Sequence, residues 1–575
     1  MKRGTAPLVQ PWRHGLLCIA LVAMAVVVLG RAWQLQVHEQ DFLVKQGIAR
    51  HQRTIPVPAS RGRILDRNGS PLAVSTPISS VWAEPQKLRQ NAEIVPRLAK
   101  SLSLEPNRLQ ANLDKAPESS EFMYVARHVD PRVADQVASM KIEGVHLQRE
   151  FRRYYPAGEV ASHVLGATNI DDRGIEGIEN LWDELLAGTS GARRVMRDLK
   201  GRAFSEVEYI ERERPGGELV LSLDRRIQYL AFRELKRAVE THGALSGSVV
   251  VLRAQTGEVL ALANQPSFNP NAPAAKRDAS RRNRAVTDPL EPGSTIKPFT
   301  IAAALQLGVV TADDVVDTAP GLYRVGRLEV KDFRDYGPLS LEEILKKSSN
   351  VGVTKVSLGA DPAKMWEILD EFGFGRDTGS LFPGENFGVL RHGSNWRRIE
   401  QATISYGYGL SATPLQLARA YAALGNDGVL PEISFLKRDD ADYTGRRVLE
   451  PEVARTVRRM LESVVEPGGT GERARVAGYR VAGKTGTSRK PAPGGYRDDK
   501  YYAFFAGMAP ASDPELVVVV LIDEPSGQQY YGGEVAAPAF ASIMAGSLRV
   551  LGVPMDAIEQ PPRLAARQAP AESSL

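Results

Sequence analysis

The first apolar run along the chain, Gly15 to Gly30, contains no charged residue. Ala32, Trp33 and Leu35 carry its character past Arg31. An arginine at a helix end can snorkel to lipid headgroups. Gly15 to Leu35 therefore reaches the ~20 residues needed to cross hydrocarbon. Trp12 and Trp33 bracket the run as interface anchors do, and Lys2, Arg3 and Arg13 precede it. That charge bias predicts a cytoplasmic N-terminal tail, residues 1–14, and an exported remainder. No small-residue cleavage pattern follows, so residues 15–35 are expected to stay as an anchor.

Beyond about residue 53 the pattern changes to short alternations broken by Gly and Pro. Arg61 to Ser75 alternates around Asn68-Gly69, a hairpin turn signal. Glu93 to Leu102 reads as a short helix. A linker near Pro215 runs into a strand and then a helix from Arg225 to about Thr241. Gly247 to Asn264 reads as two strands joined at Gln255-Thr256-Gly257. Glu515 to Pro525 is continuously apolar at its centre, as in a strand buried on both faces. A helix is expected over Ala537 to Leu551, and the proline-bearing tail 556–575 is expected to lack structure. Strands at both ends with helices between predict an α/β or α+β domain over 216–555, larger than most single domains.

Composition changes this picture little. The chain has 575 residues, 43% hydrophobic and 25% charged, with a net charge of +5. These are globular values and give no reason to invoke nucleic acid. The single cysteine, Cys18, excludes an intramolecular disulfide and cysteine-based zinc sites. Leu17 before it argues against lipidation. His128 and His163 stand alone and are expected to be satisfied or exposed.

One stretch carries two chemistries. Gly478 to Thr487, GYRVAGKTGT, fits the phosphate-binding G-x-x-x-x-G-K-[ST] loop and also contains K-T-G-T. A phosphate loop must open a helix. Here Gly486, Pro491, Pro493, Gly494 and Gly495 follow, which makes a helix implausible. Tyr479 to Ala482 alternate as in a strand, and Gly478 is expected to matter only if it needs positive φ.

Acyl transfer would need a serine nucleophile and a base. No G-x-S-x-G elbow occurs, but a lysine can serve if burial and a neighbouring cation lower its pKa. S-x-x-K occurs at Ser294–Lys297 and at Ser434–Lys437. Ser294 precedes the apolar run FTIAAALQLG, so it should start a helix, with Lys297 on the same face. Pro298 suits a first turn. Ser434 precedes a polar, loop-like stretch. S-x-N occurs at Ser267–Asn269, in a proline-rich turn, and at Ser348–Asn350, after the helix-like LSLEEILKK. A helix cap is the plain structural role for the second. The order Ser294, Ser348, Lys484 is more specific than any one element.

These motifs resemble the class B penicillin-binding proteins, specifically the division-type peptidoglycan D,D-transpeptidases of the FtsI or penicillin-binding protein 3 family. RGRILDRNG, EFRRYYPAGEVASHVLG, EPGSTIKP, KKSSNVGV, YGYGLSATPLQLARAYAALGNDG and VAGKTGT carry the likeness. The resemblance implies a single N-terminal transmembrane helix and a mixed α+β pedestal over 36–215, after a linker. The transpeptidase domain over 216–555 would be serine β-lactamase-like, an antiparallel sheet with helices. It further implies Ser294 as nucleophile, Lys297 as general base, Ser348 as proton relay and Asn350 as a ligand of the substrate amide. Lys484, Thr485 and Thr487 would read the terminal carboxylate, with Ser349 and Gly486 beside the substrate. The amides of Ser294 and Thr487 would form the oxyanion hole. No cofactor or metal is implied. The implied substrate is the D-Ala-D-Ala stem of nascent peptidoglycan, with β-lactams as acylating inhibitors, and the partners are an FtsW-type membrane glycosyltransferase and other division proteins. The place is the inner membrane, with the catalytic domain in the periplasm.

Leu390-Arg391 departs from the family's Leu-Pro, and Ser488 replaces its alanine. A class A β-lactamase would need an E-x-x-x-N between Asn350 and Lys484, which is absent. A membrane-anchored D,D-carboxypeptidase and a catalytically weak penicillin-binding sensor or scaffold remain the alternative readings.

Overall fold

The computed structural model describes residues 11–43, 52–197, 203–272, 279–439 and 445–557. The chain divides into two compact units that interleave along the sequence. One comprises 1–60, 77–151 and 188–215; the other comprises 61–76, 152–187 and 216–575.

The first unit begins with the expected apolar helix, Pro11–Trp33, continued by a π-helical turn, Gln34–His38. The most apolar 18-residue window of the span Trp12–His38 has a mean hydropathy of 2.4, and none of that window is buried against protein. A helix this apolar with no protein cover fits a membrane anchor. Lys2 and Arg3 lie outside the described residues. Farther along, Val95–Ser101, Pro106–Lys115 and Pro131–Ser139 are short helices, each opened by proline in its first turn. Their apolar faces meet in a core of Leu88, Leu98, Leu109, Leu113, Val129 and Val137. Gln52–Val57, Gly191–Arg197 and Ala203–Glu211 form a separate antiparallel sheet.

The second unit is built on a five-stranded antiparallel sheet. Its strands are β1 (Ser246–Arg253), β2 (Val259–Gln265), β3 (Ala482–Ala492), β4 (Gly495–Ala509) and β5 (Leu516–Asp523), in the order β2-β1-β5-β4-β3. Every residue of β5 is buried. The pleat divides them: Val518, Val520 and Ile522 join one apolar cluster, Val517, Val519 and Leu521 the other. On the first face lie α1 (Arg225–Thr241) and, at the far end of the chain, Ala537–Leu551. On the second lie α2 (Lys297–Gln306), α3 (Leu341–Lys347), α4 (Asn350–Leu358), α5 (Pro414–Gly425) and α6 (Pro451–Glu462). A sheet covered on both faces explains the unbroken apolar run of β5.

The turn at Asn68-Gly69 is formed as expected. Gly69 has φ +82°, and Asp66 accepts from the backbone N–H groups of Asn68 and Ser70. His163 is buried, with Nε2 2.8 Å from the Ser280 carbonyl oxygen; burial pushes its pKa down to about 4. His128 lies 3.5 Å from Glu150. The tail beyond Ala557 is outside the described residues.

One local expectation needs correction. Tyr479–Val481 are not strand: Val476 and Tyr479 bridge across a tight turn at Ala477-Gly478, and β3 starts at Ala482. Gly478 does take positive φ, +82°. A Cβ there would stand 2.5 Å from Met555 Sδ, because the chain's last described turn folds back over this one. The same place lacks the helix a phosphate loop requires, since β3 runs unbroken through Lys484 and Thr487 to Ala492.

Candidate active site

Three backbone features bring the sequence-predicted residues together. The first is the turn before α2. Gly293–Ile296 forms a 3₁₀ turn and α2 follows from Lys297, with Pro298 in its first turn. Tyr421 of α5, fully buried, donates to the Thr295 carbonyl at 2.9 Å. Thr300 donates to the Ser405 carbonyl at 3.0 Å. Both bonds fix the helix that carries Ser294 and Lys297.

The second feature is the junction of α3 and α4. Ser340 and Glu343 form a capping box at the start of α3. At its end Ser348 adopts the left-handed conformation, φ 58° and ψ 41°. A non-glycine residue there carries local strain, and such residues cluster at functional sites. Ser349 then caps α4, accepting from Gly352 N–H at 2.8 Å. The cap expected of this motif is thus supplied by Ser349, which frees the Ser348 side chain to point elsewhere.

The third is the edge strand β3. With β4 on one side only, its other edge faces the cleft. Gly486 permits close passage. A Cβ on it would stand 2.8 Å from Thr295 Cγ2 and 2.9 Å from the Pro292 carbonyl oxygen. Ser488 donates to the Glu291 carbonyl at 2.7 Å, tying the strand to the turn that carries Ser294. The serine that departs from the family pattern therefore has a bonding role here.

At the centre, Ser348 Oγ lies 3.1 Å from Lys297 Nζ and 3.0 Å from Lys484 Nζ. Lys297 Nζ also donates to the Ser348 carbonyl at 2.6 Å and to Asn350 Oδ1 at 2.7 Å. Lys484 Nζ also reaches the carbonyl and hydroxyl oxygens of Thr485, at 3.2 and 3.3 Å. Both lysines are fully buried. Burial pushes the Lys297 pKa down to about 7, and Asp332 opposes it. Burial, and after it the charge of Lys297, pushes Lys484 well below the usual lysine range. Removal from water is what depresses Lys297. Two ammonium groups on one hydroxyl repel, so losing one proton relieves the pair. A buried amine near neutrality is a competent base.

Ser294, half-buried, opens with Ser348, Asn350, Thr485 and Thr487 onto a cavity of about 420 Å³. Among the described residues, Lys297 Nζ spends its hydrogen bonds on Ser348 and Asn350 and makes none to Ser294. Catalytic hydrogen bonds commonly tighten only when substrate is bound. Thr485 Oγ1 donates to Thr470 Oγ1 at 2.8 Å. Thr487 Oγ1 accepts from Gly532 N–H at 3.0 Å, which leaves its own O–H free to donate into the cleft.

Ser349 is not where it was expected. It is 1% exposed, and its hydroxyl donates to Asp332 Oδ2 at 2.5 Å. It organises the junction rather than facing substrate. Asp332 itself went unread in the sequence. Its other oxygen accepts from Asn350 N–H at 2.5 Å and from Val351 N–H at 3.0 Å. Thr470 and Tyr421 were also missed. Asp332 and Thr470 have no motif of their own, and Tyr421, though inside a stretch that carries the family likeness, bonds to Thr295 from 126 positions away. Leu390-Arg391 lies beside the Val389–Ser411 bridge, and the Arg391 carbonyl accepts from Trp396 Nε1 at 2.7 Å.

Comparison with known proteins agrees with this geometry. The sequence matches the family described as penicillin binding protein transpeptidase domain over residues 247–545. It matches the penicillin-binding protein dimerisation domain over 56–221. The peptidoglycan D,D-transpeptidase FtsI of Escherichia coli is 43% identical over 552 residues, 95% of this chain and 93% of that protein. The probable peptidoglycan D,D-transpeptidase PenA of Neisseria gonorrhoeae is 44% identical over 547 residues, 94% of this chain and 93% of its own. Among solved structures, the TP domain of penicillin-binding protein 3 from Burkholderia pseudomallei is 45% identical, with a TM-score of 0.55 over 58% of this chain and 97% of that one. A peptidoglycan synthetase from Bifidobacterium adolescentis is 25% identical, with a TM-score of 0.69 over 89% of this chain and 98% of its own.

Proposed function

From the premise that this chain belongs to the penicillin-binding protein transpeptidase family, we propose that it cross-links peptidoglycan stem peptides through an acyl-enzyme on Ser294. The observation that carries the assignment of roles is the Ser348 hydroxyl held between two buried lysine amines, 3.1 and 3.0 Å away, at the wall of the Ser294 cavity. Neutral Lys297 takes the Ser294 proton as Oγ attacks the carbonyl of the penultimate D-alanine. The developing oxyanion is met by the backbone N–H groups of Ser294 and Thr487. Ser348 passes a proton to the departing D-alanine nitrogen, the C–N bond breaks, and the ester on Ser294 remains. An amine of a second stem then attacks the ester. It loses its proton along the same path, forms the cross-link and restores the serine hydroxyl. Thr485, Thr487 and Lys484 read the terminal carboxylate, and Asn350 holds the substrate amide. A β-lactam enters the first half of this sequence and stays as an ester.

The apolar helix near the N-terminus supports a single-pass membrane anchor. The basic residues before it support a cytoplasmic N-terminus with the catalytic unit in the periplasm. On this reading residues 36–215 serve as linker and non-catalytic pedestal, 216–555 carry catalysis, and the work is done at the division septum. The partner is an FtsW-type glycosyltransferase that supplies uncross-linked strands.

The test is product analysis. Full-length protein in detergent is incubated with a D-alanine thioester donor and a D-amino acid, in parallel with a fluorescent penicillin. Aminolysis product together with labelling is expected. Hydrolysis alone would convert the reading to a carboxypeptidase. Labelling with neither product would convert it to a sensor.

A further inference from the structure

The first unit holds a cavity of about 1090 Å³, and every residue that lines it belongs to that unit. Five of its nineteen lining residues are aromatic: Trp82, Phe122, Tyr124, Phe151 and Tyr209. Aromatic residues make up only 7% of the chain, so rings are concentrated here. None of these residues lines the Ser294 cavity. We propose that this second cavity binds a polysaccharide, the glycan strand of uncross-linked peptidoglycan. The identity of the strand rests on the functional reading above.

A sugar ring has an apolar C–H face and a polar rim. Its recognition needs flat apolar surface beside a few uncharged donors and acceptors. The cavity supplies both. Trp82 stacks on His146 with ring centroids 4.4 Å apart and packs on Phe122 at 5.0 Å, and Phe122 meets Tyr124 edge-on at 4.7 Å. Polar contacts pin these rings. His146 Nε2 lies 3.0 Å from Glu84 Oε1, and Tyr124 OH donates to Glu150 Oε1 at 2.8 Å. A wall already ordered loses little freedom on binding. Phe122 and Tyr209 remain open to solvent, 43% and 50% exposed. Thr54, Ser60 and Gln148 also line the cavity, and among the described residues their side chains make no hydrogen bond. They are available to hydroxyl and acetamido groups.

Charge and backbone select among ligands. In the lining Arg149 and Arg193 are balanced by Glu121 and Glu213, which favours neither an anion nor a cation. The strand Gln52–Val57 contributes to the lining and stands at the edge of its sheet, paired with Gly191–Arg197 alone. A partner peptide adding a strand there would need free backbone N–H groups. Pro56 within the strand and Pro58 just after it have none, which blunts the edge against such pairing. A neutral polymer with stacking faces fits what remains. A glycan strand whose lactyl groups are joined to stem peptides is such a polymer. Held at a second site, it keeps its stems at a raised effective concentration for Ser294.

The probe is the soluble β-1,4-linked hexamer of N-acetylglucosamine, an uncharged stand-in for the strand's backbone. Its binding to full-length protein in detergent is measured by titration calorimetry. Turnover is followed in parallel with two donors, uncross-linked polymeric strands and a minimal D-alanine thioester. The parent protein is expected to bind the hexamer. Phe122→Ala and Tyr209→Ala should each weaken that binding, and raise KM for the polymeric donor, by about two- to tenfold, the range for one aromatic contact. The kcat on the polymer should hold. Thioester turnover and penicillin labelling in both variants should stay within about twofold of the parent, which also reports that they are folded. A parent protein that does not bind the hexamer would overturn the proposal. So would binding that survives both substitutions combined, or a KM that rises equally for the thioester. Hexamer binding lost in the variants, in a protein that turns over neither donor and takes no penicillin, would uphold the site and overturn the functional reading instead.

Discussion

The chain carries the same four-residue pattern twice, and the two copies have opposite fates. At Ser294–Lys297 the serine stands at the mouth of a cavity, and the lysine is fully buried, its pKa pushed down to about 7. At Ser434–Lys437 the serine is consumed locally. Its hydroxyl donates to the Leu436 carbonyl and accepts from Leu436 N–H, and its backbone bridges Glu258 beside β2. Lys437 is exposed. The comparison teaches that spacing supplies the two groups but not the chemistry. Reactivity requires a lysine denied water and a serine hydroxyl left without a local partner.

The sharpest way to break the comparison is to remove each serine. Ser294→Ala is expected to abolish labelling by a fluorescent penicillin with no loss of fold by circular dichroism. Ser434→Ala is expected to label as the parent protein does. Labelling that survived the first and vanished in the second would reverse the assignment.

Lys297→Met comes next. Loss of a positioned general base costs about a hundred- to ten-thousandfold, measured as the second-order acylation rate, whereas Lys437→Met should leave that rate within about twofold of the parent, as for surface substitutions. The sign of the pH dependence follows from the amine. The base acts when neutral, and its pKa is lowered to about 7. Acylation should therefore climb with pH below about 7 and level off above it. A rate falling across the same interval would contradict the role.

A smaller effect tests what holds the reactive copy in place. Asp332→Asn removes charge from bonds to Ser349 and Asn350 N–H. Hydrogen bonds to charged groups are worth about 1.5–3 kcal/mol, so acylation should fall by about tenfold or more. Asp332 also opposes the depression of Lys297. Without that charge the Lys297 pKa falls further, and the rising limb of the pH profile should move to lower pH. An unmoved limb would show that Asp332 acts on the backbone alone.

The smallest expected effect concerns Gly478. Its φ of +82° and the Met555 sulfur above it resist a side chain. Gly478→Ala should cost about 1–2 kcal/mol of stability, seen as a lower melting temperature, while penicillin acylation per folded molecule is unchanged. A selective loss of acylation at unchanged stability would tie this turn to the chemistry after all.

What the sequence determined by itself was whatever repeats over short distances. The apolar run from Gly15, the helices Arg225–Thr241 and Ala537–Leu551, and the buried strand Leu516–Asp523 are written in local periodicity, because burial on one face or two imposes it. The candidate residues were legible for a related reason. A helix start forces Ser294 and Lys297 onto one face, and a turn between helices presents Ser348 and Asn350. Tertiary structure decided the rest. Asp332 reaches Ser349 from 17 positions away, Ser488 reaches Glu291 across 197, and Tyr421 reaches Thr295 across 126. No spacing announces such partners, since the intervening chain can be any length once packing has placed its ends. The same holds for the division into units, where 61–76 and 152–187 fall in one compact unit with 216–575 although they lie early in the chain. It holds most of all for Lys297, whose pKa is depressed by burial, so that a common side chain acquires a pKa near neutrality only after the fold has closed around it.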